Sequence, residues 1–279
     1  MLFDPLTSNF MPELPEVEIT KLGLEPLIVN QTIECVYLHR ANLRWDIPKH
    51  LLTTLPKQKV NAIQRRGKYL LLMFDVGTLI MHLGMSGSIR VVDKDTPLKK
   101  HDHFELLFSH GKRLRLNDPR RFGAVLFSKD GKHPLLDNLG VEPLSDTFDE
   151  QYLYVCSRKK QQNIKAFIMD SKIVVGVGNI YACESLHQAG VNPKCKASSV
   201  SKKRYEVLTQ CIKQILLRSI ASGGTTLQDF SSVDGKPGYF SQTLSVYGRE
   251  NEICTQCGSK ITRIVQSQRS TFYCKHCQT

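Results

Sequence analysis

The chain has 279 residues, of which 41% are hydrophobic, so it is long enough for two domains or for one domain with a small appendage. Its net charge of +12 predicts a strongly positive surface, for which nucleic acid is the commonest partner and anionic membrane the next. No run of about 18 or more apolar residues occurs, which excludes a membrane-spanning helix. Residues 1–10 have neither the basic start nor the long apolar stretch of a secretory signal.

The segment that begins at Met11 reads MPELPEVE and supports two interpretations. Translation from Met11, followed by removal of that methionine, would leave Pro12 with a free secondary amine. Such an amine titrates at roughly 7.7–8.0 and can form a Schiff base with an aldehyde-like carbon. Glu13 and Glu16 would supply carboxylates for proton transfer. If residues 1–10 are retained, the Pro12 nitrogen is an amide and cannot react.

The same segment is also typical of the start of a helix. Pro15 suits a first helical turn, and its acidic neighbours suit the positive end of the helix dipole. We therefore predict a helix from about Pro15 to Leu27, which is compatible with the catalytic interpretation. From these residues alone, the structural interpretation is the simpler one.

A strand-rich region follows this helix. The pattern alternates over Thr32–Arg40, and two apolar runs, Tyr69–Phe74 and Thr78–Leu83, flank Asp75-Val76-Gly77 as in a hairpin. Short strands at this spacing predict a β-sandwich. The other predicted strands are Ser88–Val92, Phe104–Phe108, Arg113–Leu116 and Ala124–Phe127.

Three turns in this region carry residues suited to DNA. Lys68 ends the cationic turn Gln64–Lys68, although a solvated cationic turn is the default interpretation. The glycine-rich turn His82–Gly87 exposes Met85, although a core methionine is commoner. The turn Asn117–Gly123 carries arginines and Phe122, and such side chains can wedge between base steps and read base edges. Taken singly, each of these turns is better explained by packing, but the three turns together with the net positive charge form a pattern that suits DNA binding.

The pattern becomes helical from about Glu150, after a linker near Gly140–Glu150. The clearest helical segments are Gln162–Met169, Ile180–Gln188 and Lys202–Ser219.

Two further features of this half bear on function. We predict Asn179 as the N-cap of the helix at Ile180, where free N–H groups can bind a phosphate, and Lys165 lies on the preceding helix. Tyr181 stands where a dinucleotide fingerprint would need glycine. The long polar segment Ser222–Tyr239 is typical of a functional or disordered loop.

Four of the nine cysteines form two C-x2-C pairs separated by sixteen residues. This spacing predicts a four-thiolate zinc site on a hairpin, structural because no coordination position stays open for water. Two disulfides are the alternative, which a chain without a secretory signal disfavours. Arg269 on the hairpin suits phosphate contact or a solvated face. The paired cysteines are Cys254, Cys257, Cys274 and Cys277; the scattered ones, which suggest free thiols in a reducing compartment, are Cys35, Cys156, Cys183, Cys195 and Cys211.

These motifs together resemble one family. The chain is similar to bacterial formamidopyrimidine-DNA glycosylase over all but its first ten residues. Leu14 distinguishes it from the endonuclease VIII branch, which typically reads PEGPE. The matching segments, in order, are PELPEVE, QRRGKYLLL, HLGMSG, DPRRFG, GVGNIYA, GGTTL, DGKPGYF, VYGR and TFYC.

The resemblance implies an α+β fold. An N-terminal catalytic β-sandwich with an N-terminal helix would cover residues 11–145. A helical helix-two-turn-helix domain would cover 146–245, and a four-cysteine zinc finger 246–279. Residues 1–10 would be an extension that a start at Met11 leaves untranslated.

The resemblance also implies roles for single residues. Pro12 would be the nucleophile at C1′ of the damaged nucleotide, with Glu13 as the general acid–base and Glu16 as support. Lys68 would contact the lesion and its phosphate, and Arg269, also counted as catalytic, would grip a flanking phosphate. The remaining DNA-binding residues would be the gap-filling Met85, Arg120 and Phe122 and the phosphate contacts His82, Lys165 and Asn179. The loop Ser222–Tyr239 would close over the flipped base.

The implied activity is base-excision repair. The enzyme would remove 8-oxoguanine and formamidopyrimidines from damaged double-stranded DNA through a Schiff base and nick the strand by β,δ-elimination. It would carry one structural zinc and act as a monomer, without membrane contact, in the bacterial cytoplasm at the nucleoid.

Two alternatives remain open at this point. A lesion-binding protein without catalysis follows if residues 1–10 are retained. A sequence-specific zinc-finger regulator is weaker, because nothing resembles a recognition helix.

Overall fold

The structure is a computed structural model, and it describes residues 11–224 and 243–279. The expected extension at residues 1–10 and most of the expected closing loop at 222–239 lie outside these ranges. The described residues form two compact units, one of residues 11–136 with 223–224 and the other of residues 137–222 with 243–279. Across the described ranges, no helix has the length and apolar character needed to cross a bilayer.

The first unit begins with a helix and continues as two antiparallel four-stranded sheets, which confirms the predicted sandwich. The elements are α1 (Leu14–Ile28), β1 (Ile33–Leu38), α2 (Leu51–Thr54), β2 (Ala62–Arg66), β3 (Tyr69–Phe74), β4 (Gly77–His82), β5 (Ser88–Asp93), β6 (Asp102–Phe108), β7 (Lys112–Asn117), β8 (Ala124–Ser128) and, where the first unit ends, α3 (Pro134–Asp137). The strand orders of the two sheets are β1-β6-β7-β5 and β2-β3-β4-β8.

Strand β2 corrects one expectation. The segment Gln64–Arg66 was expected as part of a turn, but it pairs with β3 through Arg66 opposite Tyr69. The turn is therefore only Gly67-Lys68, and Gly67 takes the positive φ of 57° that a two-residue hairpin turn requires. Only Ile63 is buried among the residues of β2, so this strand lacks the clear alternation from which a strand is predicted.

The core of the first unit lies between α1 and the two sheets. Period-two alternation turns one face of β3 inward, so Leu70 and Leu72 are fully buried against α1 residues such as Leu24. Burial of each such side chain contributes roughly 1.5–3 kcal/mol. This apolar contact fixes α1 over the sheet that carries the candidate site.

An arginine joins α1 to the turn between β2 and β3. The Nε atom of Arg65 donates to the Glu18 carboxylate at 2.6 Å, and its Nη1 atom donates to the Gly67 carbonyl at 3.0 Å. Burial opposes ionisation of Glu18, but hydrogen bonds from Lys21 and Arg65 outweigh it and leave the pKa of Glu18 below its ordinary value. The turn that presents Lys68 is thus tied to the helix.

The described part of the second unit contains four α-helices and a hairpin. Side chains of Asp149, Asn163 and Ser201 cap three of the helices. The elements are α4 (Glu150–Ser157), α5 (Ile164–Ile168), α6 (Asn179–Gln188), a 3-10 turn (Ala197–Ser199), α7 (Lys202–Ala221), β9 (Ile261–Gln266) and β10 (Arg269–Cys274). Helix α4 is not among the clearest segments that the sequence predicts, and α5 is shorter than predicted.

The predicted N-cap at Asn179 is wrong by one residue. The N-cap is Gly178, in extended conformation, and Asn179 is the first helical residue. The side chain of Asn179 makes tertiary contacts instead, because its Nδ2 atom donates to the Tyr247 hydroxyl at 3.2 Å and to the Ser270 carbonyl at 3.0 Å.

The Arg65 contact predicts a measurable loss of stability. We expect Arg65→Met to lower the free energy of unfolding of the first unit by about 2 kcal/mol, because the Glu18 carboxylate loses a charged hydrogen bond in a half-buried place. Urea unfolding followed by fluorescence of Trp45, the single tryptophan, measures it.

Lys112→Met is the matched control, because it breaks the exposed pair with Asp93 and should cost about 0.5 kcal/mol. The pKa of Glu18 is lowered in the folded state, so the Arg65 contribution is present above the ordinary value of 4.5 and is lost as pH falls through the folded pKa. Equal losses in the two variants would contradict the assignment.

Candidate active site and metal centre

The first turn of α1 fixes two acidic side chains beside Pro12. Glu13 is the N-cap, and it forms a reciprocal capping box with Glu16. The Glu13 amide donates to Oε2 of Glu16 at 3.0 Å, and each of these residues is 3% exposed. Pro12 is also buried, and it directly precedes this positive end of the helix.

Strand register brings three turns to one end of the β2-β3-β4-β8 sheet. Tyr69 lies opposite His82 in β3 and β4, and His82 lies opposite Ala124 in β4 and β8. The turn with Lys68, the turn after His82 and the turn before Ala124 therefore emerge together. The candidate residues in these three turns therefore lie at the same end of this sheet.

His82 is a neutral hydrogen-bond donor at this sheet end. The Gly84 amide donates to its Nδ1 atom at 2.9 Å, which assigns the ring proton of the neutral form to Nε2. Burial, and then the positive charges of Lys68 and Arg44, lower the pKa of His82 to about 4. At neutral pH the ring therefore offers an uncharged N–H group.

The turns that carry Met85 and Phe122 approach each other through glycine. A Cβ atom on Gly84, whose φ is +64°, would overlap the backbone of Phe122 and Gly123. A Cβ atom on Gly123 would overlap the His82 carbonyl and the Asp118 carboxylate. The two turns can lie this close only because neither position has a side chain.

Asp118 holds the same two turns by hydrogen bonds. It is fully buried, and it accepts from the Gly123 amide at 2.8 Å and from the Ser86 hydroxyl at 3.3 Å. The Ser86 hydroxyl accepts in turn from the Arg120 amide at 3.2 Å. The backbone beside Met85 and Phe122 is therefore fixed by a carboxylate that no solvent reaches.

The side chains that these turns present are an arginine, an aromatic ring and a methionine. The Arg120 guanidinium lies 5.2 Å from the centre of the Phe122 ring, and Phe122 is 44% exposed. Nη1 of Arg120 is buried and has no hydrogen-bond partner among residues 11–224 and 243–279. Met85, expected to be exposed, is half-buried.

In the second unit, Lys165 and Asn179 hold the hairpin. Lys165 is 2% exposed, and its Nζ atom donates to the Ser270 carbonyl at 2.9 Å and to the Thr271 hydroxyl at 2.7 Å. Arg269 is exposed at the start of β10. A pocket of about 180 Å³ lies beside these groups and is lined by Asn163, Lys165, Ala166, Met169, Gln266, Ser267 and Arg269.

The four paired cysteines converge as predicted, at the open end of the hairpin where β9 begins and β10 ends. Their Sγ atoms all lie within 4.8 Å of one another. The Sγ atoms of Cys254 and Cys277 are 3.8 Å apart, and those of Cys257 and Cys274 are 3.4 Å apart. A tetrahedral zinc with Zn–S bonds of about 2.3 Å needs sulfur atoms about 3.8 Å apart, so the donor set fits this metal.

Sequence reasoning missed Glu184 on α6. Its carboxylate accepts three backbone hydrogen bonds, from Ser245 at 2.9 Å, Val246 at 2.9 Å and Tyr247 at 2.8 Å. This anchors the segment that leads into the hairpin. The sequence around Glu184 carries no signal for this role, because the partners are main-chain groups more than sixty positions away.

Comparison with known families matches nearly the whole described chain. The profile of the formamidopyrimidine-DNA glycosylase N-terminal domain matches residues 11–125, and that of its H2TH domain matches 139–231. A profile described as a zinc finger found in FPG and IleRS matches residues 242–279.

Individual relatives agree with these profiles. The formamidopyrimidine-DNA glycosylase of Ruthia magnifica is 70% identical over 269 residues, which are 96% of this chain and 100% of the relative. The Lactococcus lactis enzyme bound to abasic-site DNA has 31% identity and a TM-score of 0.87, covering 95% of this chain and 99% of that one. Its complex with DNA containing N7-benzyl-Fapy-dG has 32% identity and a TM-score of 0.87, covering 96% and 99%.

The glycine contact between the turns can be tested by a pair of alanine variants. Gly84 and Gly111 both have positive φ, but a Cβ atom on Gly111 would meet nothing within 4 Å. We expect Gly111→Ala to cost about 1 kcal/mol for backbone strain alone. Gly84→Ala should cost about 1–3 kcal/mol more, because it also forces the turns apart. Urea unfolding by Trp45 fluorescence measures both, and equal losses would contradict the contact.

The environment of His82 predicts its titration. We expect NMR signals of its ring to report a pKa near 4, assigned by their absence from His82→Gln. Because the folded pKa lies below the ordinary 6.5, the unfolded chain binds a proton first. The His82 contribution to stability is therefore complete above pH 6.5 and is lost as pH falls toward 4. A measured pKa near 6.5 would refute the buried environment.

Proposed function

The chain belongs to the formamidopyrimidine-DNA glycosylase family, and we propose that it excises oxidised purines from damaged duplex DNA by Schiff-base chemistry at Pro12. As a member of this family it is a base-excision repair glycosylase. The observation that carries the Schiff-base proposal is the buried carboxylate pair of Glu13 and Glu16 beside Pro12. Catalysis at Pro12 requires that its nitrogen be a free amine.

The first chemical step is attack by that amine. A secondary amine at the positive end of α1 would keep an appreciable neutral, nucleophilic fraction near pH 7, because a positive dipole end disfavours its protonated form. The Pro12 lone pair forms a bond to C1′, and the bonding pair of the glycosidic bond leaves with the base. After the nitrogen loses its proton, Glu13 protonates O4′, and the sugar ring opens to an iminium ion.

The second step is strand cleavage. The iminium carries no N–H proton, so it stays cationic and acidifies the C2′ proton. Loss of that proton expels the 3′ phosphate, and a second elimination expels the 5′ phosphate. Neither elimination is a redox reaction, so neither needs an oxidant or a reductant. One amine can thus serve both base removal and β,δ-elimination.

Access to the base requires that the nucleotide leave the duplex, which costs a few kcal/mol. We assign Met85, Arg120 and Phe122 to the gap that it leaves, with Arg120 facing the opposite cytosine. The exposure of Phe122 and the unpartnered Nη1 of Arg120 support this role. Lys68 would contact the lesion and its phosphate, and Glu16 would support the geometry of Glu13.

Phosphates beside the lesion would be held by His82, Lys165, Asn179 and Arg269. The neutral Nε2–H of His82, the exposed guanidinium of Arg269 and the net charge of +12 support these contacts. Lys165 and Asn179 would act together with the hairpin, since both donate to Ser270.

We further propose one structural zinc, held by the four thiolates. It would keep Arg269 at the end of the hairpin, and four sulfur ligands leave no position for catalytic water. We also expect a monomer that acts in the bacterial cytoplasm at the nucleoid.

A second candidate function is lesion binding without catalysis. It is favoured by the ten residues that precede Met11, which make the Pro12 nitrogen an amide. Intact mass of the protein from its native source distinguishes the two candidates.

Borohydride trapping tests the proposed chemistry. We expect protein that begins at Pro12 to form a covalent adduct with DNA containing 8-oxoguanine opposite cytosine, and protein that retains residues 1–10 to form none. Glu13→Gln should slow excision by about 100-fold or more, the scale of general acid–base catalysis, while lesion binding changes little.

Undamaged duplex DNA is the substrate control, and a gel-shift assay confirms that every variant binds. Absence of an adduct from folded protein that begins at Pro12 would refute the mechanism. Equal trapping with residues 1–10 retained would move the nucleophile elsewhere.

A further inference from the structure

One face of α6 carries two buried polar side chains directed at the hairpin region. Glu184 and His187 are three residues apart, so they lie on the same side of the helix. They are 5% and 2% exposed, respectively. Glu184 accepts the three amides of residues 245–247, so this face already holds the segment that enters the finger.

His187 reaches one of the four cysteines. Its Nε2 atom lies 3.7 Å from Sγ of Cys254, which is within hydrogen-bond distance for sulfur. Cys254 is 1% exposed, so water does not compete for this contact. A metal-bound thiolate has only lone pairs to offer, so a favourable contact requires that the imidazole carry its proton on Nε2.

We propose that His187 is a positioning residue of the zinc centre, donating a hydrogen bond from Nε2 to the Cys254 thiolate. The inference goes beyond glycosylase activity and rests only on the proposed zinc. A donor to a ligating sulfur withdraws charge from it and fixes its orientation. The thiolate then becomes a poorer nucleophile, and the metal is retained longer. Helix α6 would therefore control the retention of zinc and the reactivity of Cys254.

Three variants of the full chain distinguish a His187 that donates a hydrogen bond from a His187 that only fills space. His187→Phe keeps a ring but removes the donor, and His187→Gln places an amide N–H near the position of Nε2. His276→Phe is the matched control, because His276 is exposed and lies between Cys274 and Cys277. The zinc-to-protein ratio of the wild type is measured first, by atomic emission.

The main readout is the rate at which zinc passes to a chromogenic chelator. We expect His187→Phe to release zinc on the order of tenfold faster, the scale of losses for groups that support metal ligands. His187→Gln and His276→Phe should stay near the wild-type rate.

The second readout is spectroscopic. In cobalt-substituted protein, the thiolate-to-cobalt bands should shift to lower energy in His187→Phe, because sulfur regains charge, and return in His187→Gln. The wild type alone gives a third readout, since NMR of its ¹⁵N-labelled zinc form should show the Nε2–H tautomer of His187 even if a variant fails to fold.

Three results would overturn the inference. The first is an Nδ1–H tautomer of His187 in the wild type, and the second is a His187→Phe variant whose zinc-release rate and cobalt band energies equal those of the wild type. The third is an equal defect in His187→Phe and His187→Gln, which would show that His187 acts only through packing. Wild-type protein that binds no zinc would refute the metal centre itself. A normal zinc content with any of the three results would refute only the role of His187.

Discussion

The first unit depends on the contact of Arg65 with Glu18 and with the Gly67 carbonyl. Helix α1 and strand β2 are far apart in sequence, and apolar packing between a helix and a sheet is non-directional. The guanidinium adds direction, because its fork fits one carboxylate and one carbonyl at fixed angles. The start of α1 and the Lys68 turn therefore keep one relative position.

A different constraint holds the Met85 and Phe122 turns. There the close approach depends on the absence of Cβ atoms at Gly84 and Gly123, and the buried Asp118 carboxylate then accepts a hydrogen bond from the buried amide of Gly123. A buried carboxylate without donors would be costly, so the hydrogen bonds and the close approach support each other. The backbone of these two turns is therefore held in one position relative to the sheet, and so are the side chains that the turns carry.

How much of the structure the sequence predicts depends on how far apart along the chain the interacting residues lie. Period-two alternation, the Pro15 helix start and the C-x2-C spacing are local, so the sandwich, α1 and the four-cysteine cluster were predicted correctly. The cap at Asn179 was wrong because Tyr247 and Ser270, distant in sequence, take its side chain. Glu184 was missed because its donors are distant main-chain amides, which no residue type identifies. Asp118 was missed because its Ser86 donor lies on a different turn. The roles of the individual site residues rest on the family resemblance.

The polar contacts in the second unit make the hairpin part of the helical fold. Lys165 is buried, and its charge is compensated by the Ser270 carbonyl and the Thr271 hydroxyl, both on β10. Glu184 likewise depends on amides of the segment that leads to the hairpin. If the hairpin lost its order, these two charges would lose their hydrogen bonds inside the helical core, which is costly. A metal that orders the hairpin therefore also stabilises α5 and α6, and the position of Arg269 follows from the same contacts.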